Sequence, residues 1–266
     1  MTNKEVNFNQ KNVAPTITKL SFSAKSNLKI RTALANFVKK DSIYKKQFLQ
    51  SKYNTAFDGY SYLGQKDSIN QYENDMLHSF VISEFQDIED FPKEFHNFLK
   101  EDWKNLIATI KNTELAKINE LNIPELTQLY NDNIIGYMMS CNYYPKPISC
   151  KSKAKNNTRL SAHKDASLFT TFPYGLDEGL SVLDSNNNYV KIEKKENPFL
   201  FSGYFLEFMT HKKIPALNHQ VDLPKDLDSE RFSFAIFSIP KPDATFLFNG
   251  KKTSSTEYYK KYLSLF

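Results

Sequence analysis

Cysteine and histidine are scarce in this chain: 266 residues carry two cysteines, Cys141 and Cys150, and five histidines. Two thiols make no disulfide framework and no CxxC metal knuckle, which points to a reducing, cytoplasmic setting. Long apolar runs are also missing. The longest, around Ile134–Cys141, falls far short of the roughly 20 residues that cross a bilayer. The amino terminus, MTNKEVNFNQKNVAP, lacks the apolar core of a signal peptide. Charge of one sign is not concentrated either. The 35 basic and 30 acidic residues leave a formal +5 spread along the sequence, without the basic stripe of a nucleic-acid binder. No internal repeat is visible. These absences predict a soluble protein, expected as a monomer, that meets neither membrane nor nucleic acid.

Aromatic residues, by contrast, are plentiful. With 22 Phe and 15 Tyr, and 40% hydrophobic residues overall, the chain is built to fold around a core. Its length fits one domain, residues 1–266. Residues 1–132 read as mainly helical after a short strand near Val13–Phe22. Ile30, Leu34, Phe37 and Val38 recur at helical spacing, as do Phe95, Phe98, Leu99, Leu106, Ile107 and Ile110. Pro124–Tyr130 reads as a further helix with proline in its first turn. The glycine-punctuated stretch Phe57–Ile82 reads as irregular.

Residues 133–243 change character. Eight short strands are expected: Ile134–Tyr144, Arg159–Asp165, Ser167–Phe172, Leu180–Asp184, Tyr189–Glu193, Phe199–Phe208, Ala216–Val221 and Phe232–Ile239, parted by turns such as DSNNN. The lysine-rich Ser149–Asn157 reads as a loop. The predicted class is α+β, a double-stranded β-helix (jelly roll) flanked by helices of the first half. Residues 244–266 form a C-terminal extension, with a closing helix over Ser255–Leu265.

Chemistry concentrates in a few positions of the second half. In SAHKDASLF, His163 and Asp165 stand two apart, which on a strand puts imidazole and carboxylate on one side. A further histidine, His219 in ALNHQV, completes two nitrogens and one carboxylate, a donor set that leaves cis positions of an Fe(II) ion open. In ERFSFAIFSIP, Arg231 and Ser233 share a strand face, a pair suited to holding a carboxylate. Arg159 stands four residues before His163. On an unbroken strand it faces the same way, about 13 Å along the backbone, and is a candidate partner for a substrate carboxylate. His78, His96 and the turn residue His211 read as non-ligating.

The order HxD, His, RxS resembles the isopenicillin N synthase-like Fe(II)- and 2-oxoglutarate-dependent dioxygenases. NYYP at 142–145, HKDASLFT at 163–170, GYFLEFMTHKKIPALNHQV at 203–221 and RFSFAIFSIP at 231–240 carry the likeness. The resemblance implies that His163, Asp165 and His219 ligate Fe(II). It implies that Arg231 and Ser233, helped by Tyr144 and supported by Asn142, bind the distal carboxylate of 2-oxoglutarate. It further implies that molecular oxygen and 2-oxoglutarate are consumed, with succinate and carbon dioxide formed, as a small acidic or amino-acid-derived metabolite is hydroxylated, desaturated or cyclised in secondary metabolism. In related halogenases a small residue replaces the carboxylate, so Asp165 favours hydroxylation or another oxidation. Isopenicillin N synthase itself uses no 2-oxoglutarate and holds a substrate carboxylate with the equivalent pair. An oxidative cyclase of that kind is therefore a second expectation, and a catalytically silent binding protein of the same fold a third.

Overall fold

Two ten-residue strands, β4 (Ile135–Tyr144) and β11 (Arg231–Pro240), pair antiparallel from Arg231 opposite Tyr144 to Pro240 opposite Ile135. This register decides which residues share the inward face. The arrangement is that of a computed structural model, which describes residues 18–19, 26–55, 57–149, 158–193 and 196–265.

The other strands are β1 (Thr18–Lys19), β2 (Gly59–Ser61), β3 (His78–Ser83), β5 (Thr158–His163), β6 (Phe169–Phe172), β7 (Leu180–Leu183), β8 (Tyr189–Lys191), β9 (Phe199–Ser202), β10 (His219–Asp222), β12 (Thr245–Phe248) and β13 (Lys251–Ser254). They form a large sheet ordered β1-β9-β6-β11-β4-β3-β2, a small sheet ordered β5-β10-β7-β8, and a separate β12-β13 hairpin. The two main sheets make the jelly-roll core. Phe172, Leu180, Phe199, Phe201, Leu217 and Ala235 form one buried cluster of this core, while Leu77, Tyr144 and Val221 form another.

Helices α1 (Asn27–Val38), α2 (Ser42–Lys46), α3 (Lys93–Phe98), α4 (Lys104–Leu121) and α5 (Pro124–Asn131) belong to the first half, and several of them cover the outer face of the large sheet. A π-helical turn at Leu99–Trp103 joins α3 to α4. Phe37 of α1 and Phe95 of α3 meet Phe80 of β3 at ring centroid distances of 4.9 and 4.8 Å. All three are 0% exposed; burying each stabilises the fold by roughly 1.5–3 kcal/mol. Tyr130 and Tyr137 both donate 2.8 Å hydrogen bonds to Glu114 of α4. Tyr137 thus points outward, and its neighbours in β4, Gly136 and Met138, face inward. The last helix, α7 (Ser255–Leu263), begins with a capping box between Ser254 and Glu257.

Several elements differ from expectation. The Phe199–Phe208 strand ends at Ser202. Gly203 then starts α6 (Tyr204–Met209), whose six residues are all buried. A helix with no polar face looks like a buried strand in sequence. Phe57–Ile82, expected to be irregular, supplies β2 and most of β3, which pairs directly with β4. Tertiary pairing overrides the glycines there. The Ala216 and Ser167 strands begin later, at His219 and Phe169. The extension adds the β12-β13 hairpin before its helix. The expected loop Ser149–Asn157 lies outside the described residues except at Ser149, and the Val13–Phe22 strand does so except at Thr18–Lys19. Among the described residues no helix is long and apolar enough to cross a membrane.

Candidate functional site

The last residue of β5 is His163, and it pairs across the small sheet with the first residue of β10, His219. Asp165 is not on the strand. β5 ends at His163, so the carboxylate reaches the two imidazoles from the loop that follows, and strand alternation is not what aligns HxD. Its Oδ1 lies 3.4 Å from Nε2 of His163 and 3.8 Å from Nε2 of His219. Across the described residues these three form the one group of His, Cys, Asp or Glu whose donor atoms fall within 4.8 Å of one another. Cis donors about 2.1 Å from one cation stand about 3 Å apart, so a small closure of this set accommodates a metal.

The atoms behind the donors fix their orientation. Nδ1 of His163 meets the Ser161 carbonyl at 2.8 Å, and Nδ1 of His219 meets the Leu217 carbonyl at 3.3 Å. With Nδ1–H donating, each Nε2 presents its lone pair toward Asp165. Ser161 is held in turn by Asp75, whose Oδ1 accepts from its N–H at 2.8 Å and its hydroxyl at 2.6 Å. Thr170 donates to the far oxygen of Asp165 at 2.7 Å, leaving the near oxygen to the imidazoles.

Burial pushes His219 down to about 4, partly opposed by the Asp165 charge. Burial also raises Asp165, but the His219 charge, the bond and charge of His163 and the Thr170 bond outweigh it and hold the carboxyl below its usual range. For His163, burial works downward while the bond and charge of Asp165 raise the imidazole above its ordinary value.

The loop carrying Asp165 is clamped by α6 and α7. Tyr204 N–H donates to the Asp165 carbonyl at 2.7 Å. From α7, Tyr262 donates to the Lys164 carbonyl at 2.9 Å and Tyr258 to the Ala166 carbonyl at 2.5 Å. Lys164 itself is ion-paired with Glu207 of α6 at 2.8 Å. Sequence reasoning missed these partners. Thr170 left a trace, as one of two adjacent threonines between phenylalanines, but the tyrosines of α7 looked like ordinary helix packing.

The inward face of β4 and β11 bears the remaining candidates. Arg231 stands opposite Tyr144, and Ser233 opposite Asn142. The Arg231 guanidinium lies over the Tyr144 ring, 4.9 Å from its centroid, and its Nε donates to the Glu178 carbonyl at 3.0 Å. Its Nη1 is buried with no partner among the described residues. A charged donor left unsatisfied in the interior is costly, and an anionic ligand would satisfy it. Asn142 accepts from Ser140 at 3.0 Å. Arg159 is 2% exposed and donates to the Ser229 and Pro145 carbonyls. Burial raises the Tyr144 phenol, but the charges of Arg231 and Arg159 pull it back. Both guanidinium groups therefore act on the same hydroxyl.

The other histidines lie apart from the triad. His78 meets the Tyr60 hydroxyl at 2.8 Å, in β3 rather than in a helix. His96 meets the Phe91 carbonyl at 2.8 Å, and His211 is exposed, stacked on Phe248.

Residues 135–240 match the family model of the 2OG-Fe(II) oxygenase superfamily. No curated protein matches the chain. Among solved structures, a full-length thymine hydroxylase of Neurospora crassa, in complex with alpha-KG and 5-formyluracil, is similar at 18% identity and a TM-score of 0.69, over 92% of this chain and 83% of that one. JOX2, in complex with 2OG, Fe and JA, is similar at 17% identity and a TM-score of 0.69, over 93% and 77%. The rice dioxygenase for auxin oxidation is similar at 13% identity and a TM-score of 0.63, over 90% and 81%. The chain thus has the fold of the 2OG-Fe(II) oxygenase superfamily, whose family model its residues 135–240 match.

Proposed function

We propose that this protein is an Fe(II)- and 2-oxoglutarate-dependent oxygenase that oxidises a small organic molecule. The observation that carries this reading is the convergence of two imidazole nitrogens on one carboxylate oxygen, within 3.4 and 3.8 Å. His163, Asp165 and His219 would hold the iron. Bound there, Fe(II) with 2-oxoglutarate supplies oxygen activation coupled to decarboxylation of the oxo acid.

The chain's own residues do the rest. Ser161 and Leu217 carbonyls fix the imidazoles in the tautomer that presents Nε2. Thr170 restrains Asp165 to one coordinating oxygen. Arg231, through its unpartnered Nη1, and Ser233 on the same face would receive the distal carboxylate of 2-oxoglutarate, beside Tyr144 and Asn142. Arg159 adds a second positive charge at the Tyr144 hydroxyl. With its guanidinium on two main-chain carbonyls, we assign it to this anion pocket in place of a substrate carboxylate. The solved relatives with alpha-KG or 2OG bound lend support to the co-substrate, while their other ligands, 5-formyluracil and JA, share too little chemistry to name a substrate here.

The test is 2-oxoglutarate turnover under oxygen with and without Fe(II). Succinate formed only with the metal, and lost on Asp165→Ala, supports the proposal. Metal-dependent oxygen uptake without succinate would instead fit the cyclase reading.

A further inference from the structure

The inward face of the large sheet continues beyond the candidate site. Past the rows of Tyr144 with Arg231 and Asn142 with Ser233 come Ser140 with Ala235, then Met138 with Phe237. Asn142 and Phe237 on this face are only half-buried, so space remains above them. From Asn142 to Met138 is about 13 Å along the strand. At the far end lies a groove of about 310 Å³, within the range of roughly 300–1,000 Å³ typical of small-molecule sites. Met138 and Ile239 form its floor, Phe57 and Phe85 one wall, and Tyr259 and Leu263 of α7 the other. Leu263 directly follows Tyr262, whose hydroxyl holds the Lys164 carbonyl beside Asp165. The helix that bounds the groove therefore touches the loop of the candidate iron ligand.

Two buried polar groups, Asp58 and Ser255, interrupt these apolar walls. Asp58, 1% exposed, lines the groove. Its Oδ2 accepts from the hydroxyls of Thr55 and Ser83 and, at 3.4 Å, from Gln86, whereas its Oδ1 has no partner among the described residues. The hydroxyl oxygen of Ser255, also on the lining, is likewise buried and unpartnered among the described residues. A buried acceptor left without a donor costs stability that a ligand's N–H or O–H would recover. Among the described residues the lining contains no arginine, and its charged members there are Asp58, Asp243 and Lys260.

Resting on the oxygenase reading above, we infer that this groove receives the substrate, and that the substrate is an apolar molecule bearing a hydrogen-bond donor, foremost an ammonium group. The donor sits on Asp58 and the apolar body runs along the inward face toward His163, Asp165 and His219. A substrate headed by a carboxylate would bring no donor to Oδ1 of Asp58. Under this inference the head group is a donor, where the resemblance implied a small acidic or amino-acid-derived metabolite.

The test uses 3-phenylpropylamine and 3-phenylpropionate, one body with opposite head groups. They are titrated by ligand-observed NMR against the full chain with 2-oxoglutarate and Mn(II), a paramagnetic stand-in for Fe(II). The amine is expected to bind about ten-fold tighter than the acid, and Asp58→Asn to abolish the difference. Met138→Trp, which fills the floor without altering the carboxylate, should weaken the amine even if Asp58→Asn fails to fold. Bound Mn(II) should relax the phenyl protons more than those beside the ammonium group. Equal or tighter binding of the acid, discrimination that survives Asp58→Asn, no binding of the amine, or a Met138→Trp variant that binds it normally would overturn the inference. So would bound Mn(II) with no relaxation gradient along the bound amine. Failure of Mn(II) to bind would overturn the metal reading itself, and with it the substrate role of the groove, while the head-group preference would still report on the Asp58 site.

Discussion

The phenol of Tyr262, near the end of the chain, donates to the main-chain carbonyl of Lys164 at 2.9 Å, one residue before Asp165. Tyr258, one turn earlier on the same helix face, does the same for Ala166. The carboxylate of the candidate metal site is thus positioned from outside the segment 135–240 that matches the family model. Replacing both tyrosines by Phe removes two hydroxyls and no ring packing. The double variant should remain folded by circular dichroism and lose about 10- to 100-fold in Fe(II) affinity, read by anaerobic titration. Unchanged affinity in a folded double variant would reduce α7 to a cover.

Arg231→Gln tests the anion pocket separately from the metal. The substitution keeps hydrogen-bonding groups near Tyr144 but removes the charge and the fork. The expected result is a KM for 2-oxoglutarate raised by about ten-fold or more, measured as succinate release, with Fe(II) affinity unchanged. An unaltered KM would place the co-substrate elsewhere.

Gly203 sits where the chain passes against Ser167, and a Cβ there would press into the Ser167 carbonyl and hydroxyl. Its φ of −103° is ordinary, so close approach and not backbone conformation demands glycine. Gly203→Ala should cost about 1–3 kcal/mol in stability, as overpacking does. It should also weaken metal binding, because the next N–H holds the Asp165 carbonyl. Thermal melting and Fe(II) titration read the two effects. A variant as stable as the parent would show that the contact relaxes freely.

Glu114 gives stability a dependence on pH. Burial raises its carboxyl from 4.5 to about 7, despite the bonds from Tyr130 and Tyr137. The folded state therefore holds a proton that the unfolded chain releases above 4.5. The associated stability is fully present below that pH and is lost as pH rises toward about 7. At 1.36 kcal/mol per unit the total is roughly 3 kcal/mol. Glu114→Gln should flatten this part of the profile in urea unfolding measured across the same window. A slope that persists would assign it to other groups.

The sequence made the spine of this molecule legible where spacing and residue type agreed. Alternation in Ile135–Tyr144 and Arg231–Pro240 marks the central strands, and His163, Asp165, His219, Arg231 and Ser233 stand out by residue type and spacing. What was hidden depends on distant partners. Asp165 lies past the end of its strand, so its direction follows from Tyr204, Tyr258 and Tyr262 and not from a period of two. Tyr204–Met209 is helical although every side chain is buried, which erases the polar stripe that periodicity needs. His78–Ser83 is a strand because β4 lies beside it. The groove at Asp58 combines β4, β11, α7 and a loop near the amino-terminal end, a meeting that no local pattern records.

The most direct test of the account is an anaerobic Fe(II) titration of the purified chain and its Asp165→Ala variant. One Fe(II) per chain in the parent, with binding abolished or greatly weakened in the variant, is the result predicted. Binding unchanged by removal of that carboxylate, or no binding in the parent, would contradict it.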